Sequence, residues 1–165
     1  MRFEGVYVAN TTPFSESGEV AWNHLEDHLE FLAKSGVHGF VPCGTTGEGA
    51  TLEPKEWRRV IEIAVQVAKK HSLKVIAGCG SNSTAKVVEM VGEAKALGAN
   101  GALVVTPYYN KPSAAGLFAH YMHIANRIAF PIVLYNVPGR TNVFLQPETV
   151  AKLFSHECIT GIKEA

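Results

Sequence analysis

The chain of 165 residues has only three cysteines, Cys43, Cys79 and Cys158. An odd number, widely spaced among apolar residues, excludes a disulfide frame or a zinc site and reads as reduced thiols. Net charge is missing too. Fifteen basic residues offset fifteen acidic ones, so no overall field draws the chain to nucleic acid or an acidic membrane. No apolar run approaches the ~20 residues of a membrane span. The start, Met1-Arg2-Phe3-Glu4, lacks the apolar stretch of a secretion signal. A cytoplasmic protein is expected, in which Asn10-Thr11-Thr12 and Asn82-Ser83-Thr84 never meet a glycosylation enzyme. There is no linker, low-complexity tract or close repeat, so residues 1–165 are expected to lie in one domain.

What is present is one alternating pattern. With 47% hydrophobic and 18% charged residues, the chain is too apolar to be disordered. Short β-branched runs recur at Val6–Ala9, Gly39–Pro42, Lys74–Ala77, Ala102–Val105, Ile132–Tyr135 and Ile159–Ile162. Most are apolar on both faces, as buried parallel strands are. Amphipathic segments separate them. Leu25, Leu29 and Leu32 mark a first helix, with Gly36 beyond its end. Pro54 opens a second, which buries Val60, Ile61, Ala64, Val67 and Ala68. A third runs from Ser83-Thr84 to Gly98, a fourth follows Pro112-Ser113 and a fifth follows Pro147-Glu148.

Strict alternation means βα units and a parallel sheet. A doubly wound sheet would be complete at this length, whereas a (β/α)₈ barrel needs about 250 residues. The polar residues decide. Six strand ends carry polar, aromatic or Gly-rich clusters, and an open sheet concentrates its site at one switch point. The expected fold is therefore α/β: the first five and a half units of a TIM barrel.

The chemistry sits at those strand ends. Lys163 shares a strand face with Gly161, while Glu164 points the other way. An inward lysine at a barrel mouth is desolvated, which lowers its pKa and frees an amine nucleophile. Alternatively it reaches into water, as most lysines do. Tyr135 shares a face with Val133, where its phenol either relays protons or caps the core. Thr45 has the parity of Val41 and Cys43 and should face inward. Gly44-Thr45-Thr46-Gly47-Glu48 reads as an amide nest for a carboxylate or as a plain turn. It is no phosphate loop, because no Lys-Ser/Thr follows the last glycine. Arg140, in the loop with Pro138 and Gly139, either clamps a second carboxylate or is solvated. The pairs His24/His28 and His120/His123 have metal-ligand spacing but sit in helices without a zinc protease's glutamate, so no metal is expected.

Four motifs together carry a resemblance: Gly44-Thr45-Thr46-Gly47-Glu48, Thr106-Pro107-Tyr108-Tyr109-Asn110-Lys111-Pro112, Tyr135-Asn136-Val137-Pro138-Gly139-Arg140-Thr141 and Gly161-Ile162-Lys163-Glu164-Ala165. In order and spacing they resemble the dihydrodipicolinate synthases, within the pyruvate-dependent Schiff-base lyases. The resemblance implies a lyase that condenses pyruvate with L-aspartate 4-semialdehyde to 4-hydroxy-tetrahydrodipicolinate, toward diaminopimelate and lysine. It implies a Schiff base on Lys163 and proton relay by Tyr135, Thr45 and Tyr109, with Tyr109 reaching into a neighbouring subunit. Thr45 and Thr46 would bind the pyruvate carboxylate and Arg140 that of the aldehyde. No cofactor is expected, and the oligomer would be a dimer of dimers. Alternatives are another pyruvate-dependent class I aldolase, or an inactive fragment that only associates with other chains.

Two departures stand out. The chain stops two residues after Lys163, so residues 1–165 alone are expected to fray at Lys163, aggregate and be inactive. The second concerns feedback. Lysine-inhibited members bind lysine with Asn82, Tyr108 and a glutamate where this chain has Lys86, and commonly have histidines at the positions of Pro54 and Trp57. Asn82, Tyr108 and Lys86 would then be a vestigial allosteric site.

Overall fold

The structure, a computed structural model, describes residues 3–165. Met1 and Arg2 of the start lie outside the described residues. Strands and helices alternate as β1 Tyr7–Val8, α1 Trp22–Lys34, β2 Gly39–Phe40, α2 Pro54–Lys70, β3 Lys74–Gly78, α3 Thr84–Leu97, β4 Gly101–Val105, α4 Ala114–Arg127, β5 Ile132–Asn136, α5 Pro138–Thr141, α6 Pro147–Leu153 and β6 Ile159–Glu164. All six expected strands and all five expected helices are present. The one-turn α5 is additional. No described helix is long and apolar enough to cross a membrane. The chain divides into two compact units.

The first unit holds residues from Glu4 to Gly78 and from Ala96 to Asn100. Its strands pair in parallel, with Tyr7 beside Gly39 and Phe40 beside Val75. Leu25 and Leu29 of α1 are fully buried, on one stripe. The α2 helix begins with Pro54 at its first position and a capping box, in which the Glu53 N–H donates to Glu56 Oε2 at 2.9 Å. Its whole expected apolar stripe is buried. Trp57, on the same helix, donates its indole N–H to the Gly78 carbonyl at 2.8 Å, tying the helix to the end of β3.

The first two strands are shorter than the apolar runs that announced them. Pro42 has no N–H to give a ladder, and Cys43 turns to φ +57°. Strand geometry ends there, although the Val41 N–H still donates to the Val8 carbonyl at 2.7 Å.

The second unit holds residues from Cys79 to Lys95 and from Gly101 to Ala165. Ladders run β4–β5–β6, all parallel. Leu134 and Ile132 of β5 and Ile124 and Leu117 of α4 are fully buried or nearly so. Ser113 caps α4 by accepting the Gly116 N–H at 3.2 Å. Between α3 and α4, Thr84 Oγ1 meets His120 Nδ1 at 2.8 Å. Contrary to the fraying expected, β6 continues through Lys163 to Glu164, and the Ala165 N–H donates to the Asn136 carbonyl at 3.1 Å.

Candidate active site

The ends of β5 and β6 bring the first pair of candidates together. Tyr135 stands directly beside Lys163 in the ladder, and Val133 beside Gly161. Side chains of partnered residues in a parallel pair share a face, so the expected parity holds for all four. Lys163 Nζ lies 4.4 Å from the centroid of the Tyr135 ring, within cation–π range. Tyr135 is buried. Lys163 is exposed, and this corrects the expectation of a desolvated amine. β6 is the last strand of its ladder, so the ammonium has the phenol ring on one side and solvent on the other.

Behind this pair, on the opposite sheet face, Asn136 is fully buried. Its Nδ2 donates to both carboxylate oxygens of Glu164, at 2.8 and 3.1 Å, and its Oδ1 accepts the Leu145 N–H at 3.0 Å.

Arg140 is not in a loop, as the sequence suggested, but on the helix α5. Pro138 opens that turn and Asn142 closes it at φ +56°. Four residues containing a glycine show no periodicity, so the proline and the asparagine were the only signals. The Arg140 side chain is exposed. The turn is anchored by Thr141, which is buried. Its Oγ1 lies 3.2 Å from the Val137 carbonyl and 3.1 Å from that of Val143, and accepts from Thr106 Oγ1 at 3.2 Å.

Tyr109 occupies the left-handed region at φ +72° and is 89% exposed. A bulky residue held there is strained. Its loop is tied down next door, where Asn110 Nδ2 donates to the Asn82 carbonyl at 3.1 Å. Tyr108 is half-buried and Lys86 lies exposed in the first turn of α3.

Thr45 and Thr46 belong to the first unit. Both are exposed, in a run of turns over residues 42–52. The parity argument for Thr45 does not apply, because alternation ends at Cys43. Backbone contacts build this segment. The Gly49 N–H donates to the Gly44 carbonyl and the Glu48 N–H to that of Thr45, both at 3.1 Å. Thr12 Oγ1 donates to the Gly47 carbonyl at 2.7 Å.

The histidine pairs are not gathered with further ligand residues. No group of three or more metal-ligating side chains occurs among the described residues. Burial, with the nearby His123 adding to it, holds the His120 imidazole down at a pKa of about 4. Burial likewise pushes the Cys43 thiol far up, out of the range of a nucleophile.

The sequence reading missed Asn136, Glu164, Thr106 and Thr141. Each was in view inside a quoted motif, but none has a spacing that announces a partner.

The comparisons with known proteins agree on one family. The sequence pattern of the dihydrodipicolinate synthetase family matches residues 2–165. The chain belongs to the dihydrodipicolinate synthetase family. It is 55% identical to the 4-hydroxy-tetrahydrodipicolinate synthase of Geotalea uraniireducens over 163 residues, which is 99% of this chain and 56% of that protein. It matches the chloride-inhibited dihydrodipicolinate synthase of Acinetobacter baumannii, crystallised with pyruvate, at a TM-score of 0.95 and 45% identity, covering 98% of this chain and 55% of that one. A dihydrodipicolinate synthase of Cyanidioschyzon merolae with lysine bound matches at a TM-score of 0.93 and 39% identity, over 96% of this chain and 54% of that one. The chain thus spans about half the length of the relatives it matches. Its fold is the expected α/β one, the first five and a half βα units of a TIM barrel.

Proposed function

We propose that this chain supplies, in the whole protein, the nucleophile of a lyase that condenses pyruvate with L-aspartate 4-semialdehyde. Lys163 attacks the pyruvate ketone, and water leaves to give an iminium. Loss of a methyl proton gives an enamine, which adds to the aldehyde. Cyclisation then expels the lysine and yields 4-hydroxy-tetrahydrodipicolinate. Tyr135, Thr45 and Tyr109 carry the protons, Thr45 and Thr46 bind the pyruvate carboxylate, and Arg140 binds that of the second substrate. The enzyme works in the cytoplasm as a homo-oligomer, a dimer of dimers.

One observation carries this reading: the Lys163 amine lies 4.4 Å from the ring of a buried tyrosine on the last rungs of its ladder. The amine faces the ring of that tyrosine, and in the whole protein its phenol would be the proton carrier. The strained, exposed Tyr109 supports the oligomer, since a site in a second subunit would justify its strain.

Borohydride trapping tests it. With pyruvate present, the whole protein should gain the mass of a reduced pyruvyl adduct on Lys163. Lys163→Ala should lower trapping by at least about 10³-fold. An adduct on another lysine would sink the assignment. The exposure of Lys163 favours a narrower statement for residues 1–165 alone. A solvated ammonium is a poor nucleophile, so this piece should trap pyruvate slowly or not at all.

A further inference from the structure

We infer that Asn136, through Glu164, is the positioning residue that sets the register of the β5–β6 ladder and so places Lys163 on the face of Tyr135. The inference rests on the reading of Lys163 as the nucleophile. The register of this ladder is not continuous. Ile132 pairs with Ile159, but Val133 pairs with Gly161. Thr160 is therefore an extra residue on β6, with its hydroxyl turned to the Ile132 carbonyl at 3.3 Å. Without that bulge, Tyr135 would stand beside Ile162 and Lys163 beside Asn136. A one-residue slip moves every side chain beyond it to the opposite face. The bulge thus decides whether the amine meets the phenol, and the ladder upstream of it cannot hold the choice.

The last rung can hold it. The Leu145 N–H fixes the Asn136 amide with its oxygen toward that donor, so its NH₂ must face β6. In the observed register the NH₂ meets the Glu164 carboxylate, which accepts at both oxygens. In the slipped register it would meet an ammonium, which has only donors. A buried NH₂ would lose its acceptor, and that penalty selects the productive pairing. Main-chain support comes from the Ala165 N–H on the Asn136 carbonyl. Asn136 touches no reacting atom in this account.

The test uses three variants of the whole protein, compared with the wild type for borohydride trapping by pyruvate. Glu164→Ala removes an exposed side chain and leaves the core intact. Asn136→Asp sets carboxylate against carboxylate. The double variant Asn136→Asp with Glu164→Gln inverts the polarity of the pair, because the new glutamine amide donates to the new aspartate, which still accepts the Leu145 N–H. Each single variant should trap at least about tenfold more slowly at saturating pyruvate, with half-saturation changed by less than about threefold. The double variant should return to within about threefold of the wild-type rate. Glu164→Ala at the wild-type rate, or a double variant no faster than Asn136→Asp alone, would overturn the inference while leaving the Schiff base in place. No adduct on wild-type Lys163 would overturn both.

Discussion

Two strand ends of this chain are built in opposite ways. After β2, the Gly44–Gly49 segment is held mostly by backbone contacts, with carbonyls and amides closing turn upon turn, the Thr12 hydroxyl adding one bond to the Gly47 carbonyl, and both threonines exposed. After β5 and beside it on β6, the arrangement depends on side chains: Asn136 on Glu164 and Leu145, Thr141 on Thr106 and the carbonyls around α5. A backbone-built turn tolerates changes of side chain but not of backbone space. A side-chain-built one should fail one partner at a time. The two strand ends can therefore be separated by mutation.

The largest effect is expected at Gly49. A Cβ there would run into the Cys43 carbonyl oxygen and lie 2.7 Å from its carbon. Both atoms are main chain and cannot rotate away. Gly49→Ala should cost about 4 kcal/mol of unfolding free energy, whereas Thr45→Val, at an exposed position, should stay within about 0.5 kcal/mol. Denaturant titration of both would decide. Equal small losses would mean that the turn adapts and that the contrast with β5–β6 is false.

Arg140 comes next. Its backbone is seated by Thr141 while its own side chain is exposed, so truncation should leave the fold alone. Arg140→Ala should weaken use of aspartate semialdehyde by about 2–4 kcal/mol in kcat/KM, from a lost bidentate contact to a charged group. Pyruvate trapping should survive. If both substrates suffer equally, Arg140 holds the first substrate or the fold.

The difference between the two ends also explains what could be read without a structure. Strands and helices were legible because each has a period, a cap or a breaker: the Leu25 and Leu29 stripe, Pro54, Ser113. The face of Lys163 was legible too, though by a partial argument. Parity along β6 alone put it with Gly161. That Gly161 shares a face with Val133 depends on the bulge at Thr160, whose one local hint is that same glycine inside a strand pattern. The parity argument for Thr45 fails because counting by twos is carried through Cys43, where the strand has already ended. The exposure of Lys163 could not be read from its own strand, since burial depends on what packs over the strand.

Side-chain coupling extends to the helices of the second unit, where Thr84 meets His120. The native His120 pKa of about 4 lies below the ordinary value of 6.5. A depressed histidine is neutral in the fold and charges more readily when unfolded. Its contribution is thus whole above pH 6.5 and is lost as the pH falls toward 4. The loss should reach roughly 2–3 kcal/mol. Melting curves between pH 7 and 4 should show a steeper fall for the wild type than for His120→Asn. Parallel curves would show that this contact is not where acid acts.

The smallest expected effect concerns Lys86, again in the second unit. It sits in the first turn of α3, which has no acidic residue there. The positive end of the helix dipole disfavours a cation at that place by about 0.3–1 kcal/mol. A bound lysine would bring another ammonium, and two exposed like charges a few ångströms apart repel by about 1 kcal/mol. The whole protein should therefore be weakly inhibited by lysine or not at all, even though the chain has Asn82 and Tyr108. Lys86→Glu reverses both terms at once. It should raise stability by roughly 0.5 kcal/mol through the helix end, and should tighten lysine inhibition by about tenfold through restored pairing. The two readouts are independent. A more stable variant that still ignores lysine would show that the missing histidines at Pro54 and Trp57 matter more than the inverted charge. Micromolar inhibition of the wild type would show that Lys86 does not face the ligand.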